Sequence, residues 1–558
     1  MLIFIVMFLA IMLWTQMRQK KILMYFQQHE YDGWRFLKWL FVEHVRVDIK
    51  VTCVLVFVAL VHLLAQKYLL LVVPASYAIL QLVVTALFLY LAKVENKKSE
   101  NKKPLVLTKR AKRILWTVSA VNVAVLLLLP NKTPNFILFL IFFVQCQPVA
   151  LVVANMLLFP FEKREQSRFR SLAQDKLKRM DVVTIGITGS FGKTSLKHIL
   201  GHVLSSLDNS YMTPGSVNTE MGVTRAIREG LLPGTKLFIV EMGAYARGSI
   251  NKLCKLAPPD LAIVTAIGPA HYERFRSLDE VALAKSELAH AALTRGGTCY
   301  LGKGVGQYTP FKDLTHQYAD RMFSGVVQKR VKNLTAKHSL EGLGISCELD
   351  GMALQIQVPI FGLHQVENIL LAILVSFDLG YELKQIVGAL RSLKQVQHRL
   401  EVKEMASGLT WIDDGFNSNP KGFTSALEFM TEMRDLKHVK KIADAQKLNE
   451  MGHSNEPMAV RPGKRYLITP GMVELGDEHE RLHRELGEVA KRHVDVLLAV
   501  CPQRIPTFVE EFEKSGNPVY RFTSFQAACH FFLSKQSADD VVLIENDLPD
   551  LYESPPNF

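Results

Sequence analysis

Residues 188–195 read Thr-Gly-Ser-Phe-Gly-Lys-Thr-Ser, a string whose types and spacing can hold a phosphate. Gly189 and Gly192 let backbone N–H groups turn toward an anion at the start of a helix. Lys193 adds a mobile positive charge, and Thr194 offers a hydroxyl to Mg²⁺. Thr188, Ser190 and Ser195 complete the loop. The spacing is the compact Gly-x-x-Gly-Lys-Thr, because Ile187 stands where the longer eight-residue pattern has glycine. A second candidate is Glu241, which ends the apolar run Leu237–Val240. An acid at the C-terminal end of a strand beside the loop's strand is where a Mg²⁺ ligand belongs. His271 follows the run Leu261–Ile267 and is, by itself, as readily a loop residue as a ligand.

These residues need elements to hold them. The β-branched run Val182–Ile187 precedes the loop, and the helix-like stretch Leu196–Leu207 follows it. From Asp181 onward, apolar runs alternate with helical stretches, the mark of a parallel α/β sheet. Strands are expected at Tyr466–Ile468, Val496–Val500 and Val541–Ile544. Cys347–Val358 alternates apolar and polar, Leu172–Met180 reads as a linker helix, and residues 440–464 read as a flexible polar insertion.

The first third differs. Of the formal net charge of +13, the basic excess lies wholly in residues 1–180, with 25 Lys+Arg against 9 Asp+Glu. A basic patch for nucleic acid is therefore not expected on the remainder. Seven scattered cysteines with no Cys-x-x-Cys pair argue against a disulfide framework or a zinc site. Five apolar runs are candidate membrane spans: Met1–Trp14, Val51–Ala65, Leu69–Ala92, Ile114–Pro130 and Phe136–Phe159. Basic residues gather in 17–50, in 93–113 and after Phe159, which by the positive-inside rule places those segments and the phosphate loop in the cytosol. The expectation is a multi-pass plasma-membrane protein, in contact with the bilayer, whose catalytic domains are cytoplasmic.

Eight motifs occur in order between about Val183 and Leu475. They are the loop itself; Thr213–Glu220 (Thr-Pro-Gly-Ser-Val-Asn-Thr-Glu); Glu241-Met-Gly243; Gly268–Glu273; Ala284-Lys-Ser-Glu287; Gly362–Asn368; His398-Arg-Leu-Glu401; and Asp413–Pro420. Together they resemble the Mur ligase family, most of all its D-alanyl-D-alanine-adding branch. The expected fold is α/β. The apolar runs give a helical membrane domain (1–160) and a cytoplasmic linker (161–180), and the resemblance implies a phosphate-loop central ATP-binding domain (181–395) and a Rossmann-like C-terminal domain (396–558). It also implies ATP and two Mg²⁺ ions. Lys193 and Thr194 would hold phosphates and metal, Glu241 and His271 would ligate metal, and Lys285 would be carbamylated and serve a second ion. Asn368 would read adenine, Arg399 would approach the phosphates, and Asp414 would bind the ribose. Asn218, Thr219 and Asn417 would contact substrate.

The implied chemistry is amide formation in cell-envelope precursor synthesis. A carboxylate takes the γ-phosphoryl group, and an amino acid or dipeptide amine displaces phosphate. Two departures bear on the substrate. Only about twenty residues lie between the last expected span and the loop's strand, too few for the family's uridine-nucleotide-binding module, which favours a lipid-linked carboxylate. The strand at 541–544 runs into Glu-Asn-Asp-Leu-Pro-Asp550 instead of the family's Lys-Gly-Ser-Arg-type signature. The alternatives are a transporter or membrane scaffold regulated by an ATPase domain, and a poly-γ-glutamate-type synthetase. His479 and His483, four apart on a helix, are read as structural or domain-closure residues.

Overall fold

The computed structural model describes residues 2–43, 56–57, 60–61, 64, 74–96, 105–128, 143, 145–268, 275, 277–415, 419–450, 461–472, 475 and 478–546. The chain divides into two compact units, one built on residues 1–166 and the other on Ser167–Asp547.

In the first unit the described elements are helices, chiefly α1 (Leu2–Gln28), α2 (Pro74–Asn96), α3 (Lys109–Leu128) and α4 (Gln147–Lys178). Among the described residues no helix is long and apolar enough to cross a membrane. This overturns the helical membrane domain at 1–160 and the membrane localisation that rested on it. The apolar runs do not coincide with the helices. The first is only half of α1, which continues through Arg18, Lys20 and Lys21. The fourth lies in α3, which opens on Lys-Arg-Ala-Lys-Arg. The apolar start of α4 continues without a break into Glu162, Lys163 and Arg164. Some apolar side chains meet neighbouring helices, as where Trp14 of α1 meets Phe88 of α2 with ring centroids 5.5 Å apart, while others such as Leu9, Leu82 and Leu157 are exposed. Polar side chains are buried between them. Gln147 Oε1 accepts from Gln19 Nε2 at 2.7 Å and from Asn122 Nδ2 at 3.0 Å. Hydropathy counts apolar residues without saying what they face. Most of the expected second span, most of the fifth before α4, and the start of the third lie outside the described residues.

The second unit holds two six-stranded sheets and one three-stranded sheet among the described residues. The first is parallel, in the order β2-β3-β1-β4-β5-β6, from β1 (Val183–Thr188), β2 (Ser210–Met212), β3 (Leu237–Glu241), β4 (Leu261–Val264), β5 (Thr298–Leu301) and β6 (Met322–Ser324). The near-continuous apolar strands are buried on both faces, as a parallel sheet requires. Helix α5 (Lys193–Leu207) follows β1 and buries Leu196, Ile199, Leu200, Val203 and Leu204. At about 1.5–3 kcal/mol per buried aliphatic side chain, that face outweighs the strain in the loop that precedes it. Helix α6 (Ser249–Leu256) follows β3, and α7 (Leu278–Thr294) follows β4.

The middle sheet is antiparallel: β7 (Val331–Ser339), β8 (Gly342–Leu349) and β9 (Met352–Val358). The alternating stretch 347–358 is thus the turn and second arm of a hairpin, bent at Asp350 and Gly351, both at positive φ. Helix α8 (Gln365–Asp378) comes next. The last sheet runs β10-β11-β15-β12-β13-β14, with β10 (Glu401–Glu404) antiparallel to β11 (Thr410–Asp414). The other strands, β12 (Arg465–Thr469), β13 (Val496–Val500), β14 (Val519–Phe522) and β15 (Val541–Glu545), are parallel. Helix α9 (Pro420–Glu450) carries regular structure into the stretch expected to be a flexible insertion. Its polar sequence reflects a helix largely exposed over residues 441–447, and 451–460 lies outside the described residues.

Candidate active site

The loop sits where β1 ends and α5 begins. Gly189 has φ +152° and Gly192 φ +79°, conformations that side chains rarely adopt. A Cβ on Gly189 would fall 1.9 Å from Thr265 Oγ1, and one on Gly192 would fall 3.1 Å from Asn368 Oδ1. Space is therefore closed to side chains at both glycines. The loop is pinned from β4: Ser190 N–H donates to Ala266 O at 2.7 Å, Ser190 Oγ–H to Gly268 O at 2.9 Å, and Thr265 Oγ–H to Phe191 O. Thr188 Oγ–H donates to Met242 O at 2.9 Å, tying β1 to the end of β3.

Lys193 lies folded on its own loop, donating to Gly189 O at 2.7 Å and Ser190 O at 3.3 Å. Burial pushes its ammonium below the usual range; Glu241 opposes that shift and Arg399 adds to it. An arriving phosphate would favour the charged form. Because β3 pairs directly with β1, Ile187 stands opposite Glu241. This register brings the carboxylate to Thr194, whose hydroxyl donates to Glu241 Oε2 at 3.0 Å. Asn218 Nδ2 donates to the other oxygen at 3.0 Å. Thr213 Oγ accepts from Glu241 N–H at 3.2 Å, and Tyr245 O–H donates to Asn218 Oδ1 at 3.0 Å. Thr219 caps the following short helix, accepting from Gly222 N–H. A buried hydroxyl and carboxylate beside a glycine cradle form a hard-oxygen donor set that fits Mg²⁺ with a nucleotide phosphate.

Lys285, on α7, is buried. Burial and the Lys193 charge together push its ammonium well below the usual range. Asn368, in the first turn of α8, lies against Gly192 and donates to Gln365 Oε1 at 3.0 Å; Gln365 Nε2 donates to Ser195 Oγ at 3.3 Å. His271 and Asn417 lie outside the described residues.

Arg399 and Asp414 arrive from the last sheet. Burial lowers the Arg399 guanidinium, which lies within electrostatic reach of Asp414 and Glu241. Its neighbours His398 and Leu400 both have positive φ, +57° and +52°. Each such residue costs on the order of 1–3 kcal/mol and persists only where surroundings enforce it. Here they do: Leu400 N–H donates to Asp414 Oδ1 at 3.0 Å, and His398 Nδ1 pairs with Asp413 Oδ2 at 2.8 Å. Burial pushes the Asp414 carboxyl up to about 6 against the pull of Arg399 and of that N–H, with Asp413 adding to the rise. His398, Glu401 and Asp413 bring ligand atoms within 4.8 Å of one another. Their hydrogen bonds to this turn explain the cluster as the support of Arg399. Elsewhere, His483 spends both ring nitrogens on backbone, accepting from Met472 N–H at 3.0 Å and bonding His479 O at 2.8 Å. Neither nitrogen is left for a metal.

Lys197, Thr265, Gln365 and Thr213 also touch the site and went unread as individual residues. For Lys197 the available signal was a lysine inside an otherwise apolar helix face.

Residues 187–376 match the family model described as the Mur ligase middle domain. The UDP-N-acetylmuramoyl-tripeptide–D-alanyl-D-alanine ligase of Escherichia coli (strain K12) is 27% identical over 337 residues, covering 60% of this chain and 68% of that protein. The ligases of the same name from Bacillus subtilis (strain 168) and Mycobacterium leprae (strain TN) are 27% and 29% identical, with 63% and 59% of their lengths covered. The match thus spans roughly two thirds or less of these relatives. Among solved structures, MurF from Acinetobacter baumannii aligns with a TM-score of 0.55 at 22% identity, over 68% of this chain and 77% of its own. MurF ligase from Thermotoga maritima in complex with ADP aligns with a TM-score of 0.55 at 22% identity, over 70% and 82%. These likenesses show the fold.

Proposed function

We propose that this chain, which carries a Mur ligase middle domain at residues 187–376, is an ATP-dependent ligase of cell-envelope precursor synthesis. It would join a substrate carboxylate to the amine of an amino acid or dipeptide. The observation that supports this most is one cluster: the Gly189–Gly192 loop, Lys193, and Thr194 bonded to Glu241, with Arg399 and Asp414 brought to it from the last sheet.

Bound Mg·ATP would supply the phosphoryl group. The chain's residues would do the rest. Thr194 and Glu241 would hold one divalent cation, and Lys285, as a carbamate, a second, with His271 a further ligand. Thr188 to Ser195 would cradle the phosphates, with Lys193 turned from its loop carbonyls toward them. Two anions must be brought together, and Lys193 and Arg399 would offset that repulsion in a site shielded from water. Asp414 would take the ribose and Asn368 the adenine. Asn218, Thr219 and Asn417 would line the carboxylate substrate.

The relatives' name carries a uridine-linked tripeptide and D-alanyl-D-alanine, and these are the substrates to try first. The lipid-linked carboxylate rested on a membrane domain and falls with it, as does the transporter reading. The experiment is ADP release by purified protein with Mg·ATP, the uridine-linked tripeptide and D-alanyl-D-alanine, each omitted in turn. ADP release that needs both co-substrates supports the reading; release indifferent to them rejects it.

A further inference from the structure

We propose that Lys197 is a positioning residue: a built-in cation that holds the Glu241 carboxylate and ties the 213–220 loop to it. The proposal rests on the reading of Glu241 as a metal ligand. Lys197 lies in the second turn of α5, amid Leu196, Ile199, Leu200, Val203 and Leu204, all buried. A lysine there is expensive to desolvate unless its ammonium is fully used. It is used. Nζ lies 3.2 Å from Glu241 Oε2, with side-chain exposures of 0% and 1%. It also donates to Gly215 O, in the middle of the 213–220 loop.

The geometry divides two cations on one helix face. Lys193 and Lys197 are four residues apart, so their side chains rise from the same side of α5. Lys193 turns to the loop carbonyls, and Lys197 to Glu241. Glu241 is thereby held from three places: Thr194 and Lys197 on α5, and Asn218 on the substrate-side loop. Asn218 serves the same strand end with side chain and backbone, since its Nδ2 donates to Glu241 and Gly243 N–H donates to its backbone O at 2.9 Å. Lys197 closes this frame by gripping Gly215, on the other arm of the loop. The metal-ligand carboxylate and the substrate loop thus move as one piece, and the carboxylate is kept compensated before any divalent cation arrives.

The test uses the full chain without nucleotide: wild type, Lys197→Met, and Lys197→Met with Glu241→Gln. Methionine keeps the length and removes the charge. Lys197→Met should melt at least about 5 °C lower, because it strands a buried carboxylate, and millimolar MgCl₂ should raise its melting temperature more than that of wild type. The double variant, with no carboxylate to strand, should recover at least half of the loss. In both variants, amide exchange across 213–220 should quicken by about tenfold or more for loss of the charged donor to Gly215. If Lys197→Met melts with wild type, or the double variant is as unstable or insoluble as the single one, the proposal is overturned. Unchanged exchange at 213–220 overturns the tether. A wild type that releases no ADP would remove the ligase reading while leaving this cycle of variants readable.

Discussion

At Lys285 the surroundings favour an uncharged amine, since burial and the nearby Lys193 both oppose the ammonium. A neutral amine is the form that can take up CO₂, so these surroundings are compatible with the carbamate that the family resemblance implies. Lys285→Ala should lose roughly 10²-fold or more in ADP release, and acetate or formate should restore part of it by replacing the missing anion. Full activity without additive would remove this role. Lys193→Ala should cost roughly 10²–10³-fold in turnover, read by the same assay, and unchanged turnover would dismiss the phosphate site. Asp414 gives a pH test. Its carboxyl sits at about 6 against a usual 3.8. A raised acid contributes stability below its unfolded value and loses it as pH rises through its folded value. Asp414→Asn should therefore gain on wild type in melting temperature as pH rises through about 6, and a constant gap would contradict this. Lys193 and Thr194 could be singled out in the sequence because local spacing fixes their turn, and Glu241 because it ends an apolar run. Lys197 was not, since its use depends on a strand forty-odd residues away. Asn368, expected at adenine from the resemblance, is placed against Gly192, a contact that no local pattern contains.

At the scale of elements, the site is a matter of register. Glu241 reaches Thr194 because β3 is the immediate neighbour of β1, and a slip of one residue would turn the carboxylate to the other face. The alternation of strands and helices after residue 181 made this arrangement readable, and the three strands expected in the last third lie within one or two residues of their observed bounds. What periodicity could not reveal was partner choice. The run 347–358 reads the same as one strand or as a hairpin arm. The apolar runs of the first third read the same whether they face lipid or one another, and here Trp14, Gln19 and Asn122 are spent on neighbouring helices. The loop itself offers a test at this scale. Gly192→Ala must place a side chain at φ +79° and 3.1 Å from Asn368 Oδ1. The strain is about 1–2 kcal/mol, enough to weaken ADP binding by roughly tenfold by calorimetry; unaltered binding would show that the loop's shape is not what holds the nucleotide.

Over the whole molecule, no single stretch contains the site. Residues 188–195 and 241 lie at the C-terminal ends of β1 and β3 inside the first sheet, with Lys285 on α7 and Asn368 on α8 beside them, while Arg399 and Asp414 come from the last. Arg399 is presented by a strained turn whose supports, Asp413 and Asp414, end β11. Nucleotide binding and the pairing of the two sheets are thus expected to be coupled. On the proposed reading this constellation would couple ATP cleavage to amide formation. The most direct measurement of that coupling is the stoichiometry of products, with purified protein, Mg·ATP, the uridine-linked tripeptide and D-alanyl-D-alanine, read by mass spectrometry beside an ADP assay. One new amide should form for each ADP released, and neither should form when either co-substrate is withheld. ADP accumulating without amide, or no ATP cleavage at all with both co-substrates present, would contradict the account.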